Sequence, residues 1–271
     1  MSNKNIMSKF LAFLGVLTLG FSTSNAATND TTNVILSKQD CFEKVCEWTN
    51  IGIGGAYYNA GGENAGIGGY AGYVSLFGKA VLKQRLQIGG NIAIGGGKSE
   101  LSGNSFPNGA KNNTNLMVFD FALKAGVNVS SKESPIFINL LGGLDVYSTN
   151  KDERKFQRSL GLVGIEIEGE KPISAKLSVM YGASYSLVVA GTYMLDNKDT
   201  KAKIPFSPQN YAISANVGIS YEIERGISAF VRAIGKYQHL NTSETINANN
   251  VNLSMPAMNN TQAMVEFGIG F

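Results

Sequence analysis

The chain has 271 residues, a formal net charge of +3, 44% hydrophobic residues and only 16% charged ones. Two of its lysines, Lys4 and Lys9, belong to a segment read below as a cleaved leader. So small a charge excess excludes binding to nucleic acid by bulk electrostatics. Glycine is abundant at 32 residues and proline scarce at 6, a balance that fits closely packed strands better than a helical core.

At the N-terminus, Lys4 and Lys9 precede an uncharged apolar stretch from Phe10 to Phe21. Ser24-Asn25-Ala26 then puts small residues at the −3 and −1 positions of a cleavage site before Ala27. This is the pattern of a secretory signal peptide over residues 1–26, and its apolar stretch is too short to cross a bilayer, which takes roughly 20 residues. Residues 27–47 read as a periplasmic segment. It carries the two cysteines of the chain, Cys41 and Cys46. After export they meet an oxidising compartment, so a small disulfide loop is expected. No histidine stands near them, so no metal site is expected.

From residue 48 onward the sequence alternates. Ile51, Ile53 and Tyr57 mark a first strand, and Gly66 to Gly78 a second with aromatics on both faces (Tyr70, Tyr73, Phe77). Leu86, Ile88, Ile92 and Ile94 mark a third. Met117, Phe119, Phe121, Leu123, Ala125 and Val127 make one face of a fourth, opposite Asp120 and Lys124. Ile136, Ile138, Leu140, Leu144 and Val146 define a fifth, opposite Asn139 and Asp145. Val163, Ile165 and Ile167 stand opposite Glu166 and Glu168 in a sixth. Leu177 to Val189 forms a seventh, with Lys176 leading its polar face. The cleanest case is Tyr211 to Glu224, where seven apolar residues alternate with a polar face that includes Glu222 and Glu224. Ile227 to Gln238 follows, with Arg232 and Lys236 inward, and then Met264 to Phe271, with Glu266 inward. Period-2 alternation over fourteen residues belongs to a strand longer than the usual 5–6 residues, and tilted membrane strands need about 9–11.

The count is ten strands, or eight if the first hairpin serves as a plug. The connections alternate in length. Short turns fall at 80–85, 130–135, 169–174 and 224–226; longer ones fall at 59–65, 98–115, 148–156, 195–210 and 239–260. No later segment is apolar enough for a membrane helix, and a spanning protein without such helices must be a closed barrel. The fold class is therefore an all-β, antiparallel transmembrane barrel over residues 48–271, with short periplasmic turns and longer external loops.

The last strand ends Val265-Glu-Phe267-Gly-Ile269-Gly-Phe271 and stops on the aromatic. This ending resembles the C-terminal sorting signal of Gram-negative outer-membrane β-barrel proteins. The resemblance implies residence in the outer membrane, recognition by the barrel-assembly machinery through that strand, and contact with outer-membrane lipid and lipopolysaccharide. The Asn-rich loops resemble those of Helicobacter or Campylobacter surface proteins.

Asp120, Lys124, Asp145, Glu166, Glu168, Lys176, Glu222, Glu224, Arg232, Lys236 and Glu266 are expected in the lumen. On the lipid face a Lys or Arg at the midplane would cost about 2–4 kcal/mol. Mixed signs in a narrow barrel suggest paired ions that fill it; an ion path lined by the same groups is the alternative. His239, the only histidine, stands at an outer strand end. It has no Asp beside it and no Ser two residues on, unlike outer-membrane proteases and lipases. No catalytic residues and no cofactor are expected. The leading functional reading is a structural or adhesin-like surface barrel whose polar loops meet a host or other surface ligand. A narrow solute channel is second, and a hydrolase third.

Overall fold

Each long strand has one apolar and one mixed face, so the sheet they form has two incompatible surfaces. It resolves the conflict by closing on itself. The computed structural model describes residues 45–62, 65–103, 112–131, 134–151, 154–197, 200–224, 226–248 and 251–271. The signal segment, Cys41 and the rest of residues 1–44 lie outside these. The strands are β1 (Val45–Gly62), β2 (Ala65–Leu82), β3 (Leu86–Gly103), β4 (Asn112–Asn128), β5 (Ile136–Lys151), β6 (Arg154–Pro172) and β7 (Leu177–Asn197). After these come β8 (Thr200–Pro205), β9 (Tyr211–Glu224), β10 (Ile227–Leu240), β11 (Ile246–Ala248), β12 (Val251–Leu253) and β13 (Met258–Gly270).

Ten of them form the barrel: β1 to β7, then β9, β10 and β13, each antiparallel to its neighbours. The ring closes where β1 meets β13 in unbroken register from Asn50↔Gly270 to Gly62↔Met258. One further exchange of backbone hydrogen bonds, both 2.9 Å, joins Thr49 and Phe271. The eight-stranded alternative is set aside, because β1 and β2 pair along their whole length as wall strands.

The apolar face points outward. Ile53, Ile88, Leu140, Val217 and Phe267 are all more than half exposed, up to 72% for Leu140. A continuous apolar belt of this kind is untenable in water and is what lipid requires. Small or polar residues point inward, and the short turns gather at one end. At the β2–β3 turn Lys83 and Gln84 both take positive φ (49° and 53°), a geometry normally given to Asn-Gly. Gly226, at φ 78°, supplies it in the β9–β10 turn.

Several expected boundaries move, the 98–115 connection among them, since β3 runs to Gly103 and β4 starts at Asn112. β1 begins at Val45 rather than near residue 48, so Cys46 is a strand residue. The expected connection at 148–156 is mostly strand, since β5 and β6 pair out to Lys151↔Arg154. The physical reason is shared. Beyond the lipid belt the outward face has no need of apolar residues, so Asn115, Asn150 and Lys155 stand there and the alternation fades while the ladder continues. The expected loops at 195–210 and 239–260 also hold structure. β8 pairs with the upper part of β7, directly above β9, and β11 and β12 form a small hairpin. A bulge at Val189 flips the upper part of β7 so that Tyr193, not its even-numbered neighbours, faces in.

Candidate functional site

The lumen is occupied by side chains arranged in tiers. At the periplasmic end Lys124, on β4, donates to Glu166 (2.8 Å) and to Glu168, both on β6. Gln87 donates to Glu168 and to Asn139 Oδ1 (3.1 Å), and Asn139 donates to Glu166 (3.3 Å). Lys124 also stands over the Phe77 ring (5.2 Å), and Lys79 over Trp48 (5.3 Å). Trp48 thus faces the interior of the mouth rather than an external girdle.

Mid-barrel, Arg232 pairs with Glu266 at 3.0 Å, and the Tyr73 hydroxyl donates to the same carboxylate at 3.3 Å. The carboxylate fits because Gly52 lies beside it; a Cβ there would sit 2.7 Å from Glu266 Oε1. Lys236 pairs with Asp120, which also accepts from Asn91 (3.1 Å). Above them Asp145 takes Arg158 (2.7 Å) and Gln238 (3.2 Å), and Gln238 in turn accepts from Asn260 (3.2 Å). Asp120 and Asp145 are direct cross-strand partners. Like charges placed so would repel, and each has its own cation instead.

Eight of the expected lumenal charges therefore lie on the interior face and fall in four ion-paired groups, one of them completed by Arg158: Asp120, Lys124, Asp145, Glu166, Glu168, Arg232, Lys236 and Glu266. Glu222 is interior and half-buried near the periplasmic end. Glu224 is exposed at the strand terminus. Lys176 is also exposed, and is corrected from the lumen to the turn before β7; its parity pointed inward, but the strand starts one residue later. Arg158 and Lys79 were missed. Arg158 keeps the even parity of Glu166 and Glu168, so extending β6 upstream would have found it. Lys79 lies on the face of Tyr73 and Phe77, which the mixed aromatics of β2 obscured.

Above the ions the outer end is apolar. Leu160, Tyr193, Ile204 and Leu240 are fully buried, at 0% exposure, with Met255 and Met258 nearly so. Phe156 stacks on Tyr193 at 5.9 Å between ring centroids, and Phe206 packs tilted against it at 4.3 Å. Ile204 comes from β8 and Met255 from the 239–260 segment, so elements outside the ring close its mouth. Hydrogen bonds fix them: Ser243 N to Met255 O (2.9 Å), Glu244 N to Pro205 O (3.2 Å) and Asn241 N to Asn210 Oδ1 (2.6 Å). The 239–260 loop is thus only half a solvated loop, since Ile246, Ala248, Leu253 and Met255 anchor it inward. By contrast Arg232, Lys236 and Asp120 keep 24%, 21% and 26% of their side-chain surface. The middle of the lumen is thus less tightly packed than the outer end.

His239 lies on the outward face at the outer rim. Its ring stacks on Tyr211 at 5.3 Å, and Nδ1 is 2.8 Å from Asn259 Oδ1. Tyr185, Tyr211 and Tyr237 continue this aromatic girdle. Among the described residues no group of His, Cys, Asp and Glu could hold a metal ion.

A closed antiparallel ring, apolar outside and ion-paired inside, defines an integral β-barrel of the outer membrane. No protein-family model matches the chain, and no curated protein matches it. Among solved structures it is similar to the translocator domain of the autotransporter NalP from Neisseria meningitidis, at 10% identity and a TM-score of 0.42, covering 98% of this chain and 97% of that one. It is also similar to the transport unit of the autotransporter AIDA-I from Escherichia coli, at 9% identity and a TM-score of 0.42, covering 94% and 96%. A third is Neisserial surface protein A, at 10% identity and a TM-score of 0.32, covering 83% and 98%. At these scores the likeness carries no argument about function.

Proposed function

We propose that this protein is a sealed outer-membrane barrel that works through its external surface, presenting the connections at 98–115 and 239–260 to a host or other surface ligand. The observation that carries this reading is the apolar seal at the outer mouth, where Leu160, Tyr193, Ile204 and Leu240 exclude water above the ion-paired lumen. The resemblance of the Asn-rich loops to Helicobacter or Campylobacter surface proteins is in keeping with it. No reaction is assigned to the chain, and His239 is read as a rim residue. Cleavage after Ala26 and a Cys41–Cys46 link belong to the same reading, and the intact mass of the exported protein with and without reductant tests both.

Single-channel recording of the refolded chain in a planar bilayer tests the seal. The expected result is a folded, silent barrel, and steady ion-selective steps would refute it. Deleting both connections is then expected to abolish adhesion to the target surface; unchanged adhesion would refute the surface role. A second reading is a narrow solute channel gated by the cap, favoured by the partly exposed charges at mid-barrel. It predicts steps that appear when residues 244–254 are removed and that change selectivity in Arg232→Gln.

A further inference from the structure

The cap holds an unfinished sheet. β8 pairs with β7 on one side only and ends its sheet, while β11 pairs with β12 alone in a separate one. Along an antiparallel strand the backbone groups of successive residues point to alternate sides. Phe206 N donates to Gly191 O at 3.4 Å, so the even-numbered residues of this stretch turn their backbone groups toward β7. Lys201, Lys203 and Pro205 therefore turn theirs away from it, and Pro205 O accepts from Glu244 N at 3.2 Å on that far side. Pro205 thus occupies a place where its missing N–H costs the β7–β8 ladder nothing.

β11 lies beside this free edge, within 8 Å between Cα atoms. Glu244 meets β8 at its inner end, so residues 246–248 climb β8 toward Thr200 and run antiparallel to it. Ser243 is buried, Glu244 and Thr245 are both exposed, Ile246 is half-buried, Asn247 exposed and Ala248 half-buried. Two exposed residues in succession opposite Pro205 are the mark of a β-bulge. With that bulge Ile246 falls opposite Ile204, Asn247 opposite Lys203 and Ala248 opposite Ala202. Each facing pair then shares a side, because Ile204 and Ala202 are buried and Lys203 is exposed. Within the β11–β12 hairpin, Ala248 and Val251 flank the two connecting residues and form the hydrogen-bonded pair, which turns the Asn247 backbone away from β12. Asn247 and Lys203 thus aim their N–H and C=O groups at each other's strand. Among the described residues the Glu244–Pro205 bond is the one rung of this ladder already made.

We propose that β11 is a strap that zips onto β8 through this bulge, Asn247 and Lys203 exchanging two backbone hydrogen bonds, so that β7, β8, β11 and β12 become one continuous sheet across the outer mouth. The zipped and unzipped forms differ by bonds that water also supplies, so they lie close in free energy, and a ligand gripping the hairpin selects between them. The inference rests on the reading of 239–260 as a connection that meets a surface ligand. It adds the element through which that contact reaches the seal, since Ile246 and Ala248 pack on the same core as Ile204 and Leu240.

The test is hydrogen exchange and cysteine trapping on the refolded full chain in detergent micelles. Neither readout depends on adhesion, so the strap and the surface role can fail separately. Asn247→Pro removes the N–H that Lys203 O would accept and leaves the β11–β12 ladder intact. The Lys203 amide is expected to exchange about threefold faster in this variant than in the unaltered chain, with the Ile246 and Leu253 amides unchanged. In a background of Cys41→Ser with Cys46→Ser, Lys203→Cys with Asn247→Cys is expected to oxidise at least about tenfold faster than Lys203→Cys with Ile246→Cys, whose side chains lie on opposite faces. Heat-modifiability on a gel confirms folding of each variant. Equal exchange at Lys203 with and without Asn247→Pro, or equal oxidation of the two cysteine pairs, would overturn the proposal.

Discussion

Glu266→Gln is the most informative single change in the lumen. The substitution keeps the shape and can still accept from Tyr73, but it strips the counter-charge from Arg232. Removing one partner of a buried ion pair costs about 3–5 kcal/mol. Here the carboxylate is 3% exposed but the guanidinium 24%, so the loss is partly screened. The lower figure of about 2–3 kcal/mol is therefore expected. With a urea slope near 2 kcal/mol/M, the unfolding midpoint should fall by about 1–1.5 M. Unfolding from lipid vesicles can be followed through Trp48, the only tryptophan, which sits at the periplasmic mouth. The double variant Glu266→Gln with Arg232→Met should recover most of the loss, giving a coupling of about 2 kcal/mol in the mutant cycle. A single-variant cost under about 0.5 kcal/mol, the level of a neutral surface change, would refute the idea that this pair holds the terminal strand in place.

Three further outcomes are expected. Lys83→Asn with Gln84→Gly relieves two positive-φ residues at the β2–β3 turn and should stabilise the barrel by roughly 1–2 kcal/mol, read as a higher urea midpoint. Ile204→Ala, at a fully buried cap position, should cost about 2–5 kcal/mol and admit conductance where the unaltered barrel is silent. Tyr193, in the external cap, has its phenol pushed up from 10 to about 12, chiefly by burial, with Arg158 opposing. The fold favours the neutral phenol, so its contribution is whole below pH 10 and is lost as pH rises from 10 through 12. Tyr193→Phe should remove that alkaline loss. At pH 7 it should be neutral to about 1 kcal/mol stabilising, since the buried hydroxyl has no partner among the described residues; an unchanged alkaline profile would refute the assignment.

The barrel and most of its interior could be read from the chain because lipid enforces the alternation. Wherever a strand crosses the belt, as in Tyr211 to Glu224, an outward apolar residue and an inward polar one are both obligatory. Lys124, Glu166 and Glu266 were placed by that rule alone. Outside the belt the rule lapses. Arg158 and the upper parts of β5 and β6 escaped because their outward neighbours are polar too. β8 and the β11–β12 hairpin escaped because a cap needs only a few apolar anchors, and Ile204, Leu253 and Met255 are scattered among Asn, Lys and Ser. The pairing of particular ions was not legible either. Lys236 reaches Asp120 across 116 positions of sequence, a consequence of closure and register that no local pattern encodes.

The seam between Thr49 and Phe271 also sets an order of events. The two backbone bonds at this end of the seam are made by Phe271, and Thr261 meets Asn59 across 202 positions. No complete barrel can exist until β13 and Phe271 are available to pair with β1. Every hairpin can form early, but the free edges of β1 and β13 stay unpaired until Phe271 arrives, and an open sheet edge is not tolerated in hydrocarbon. Long-range closure of this kind is slow compared with hairpin formation. The ring can therefore close only after β13 is delivered, and the chain must be kept from aggregating through that interval. A chain shortened by its final residue loses the last rung of the ladder that completes it.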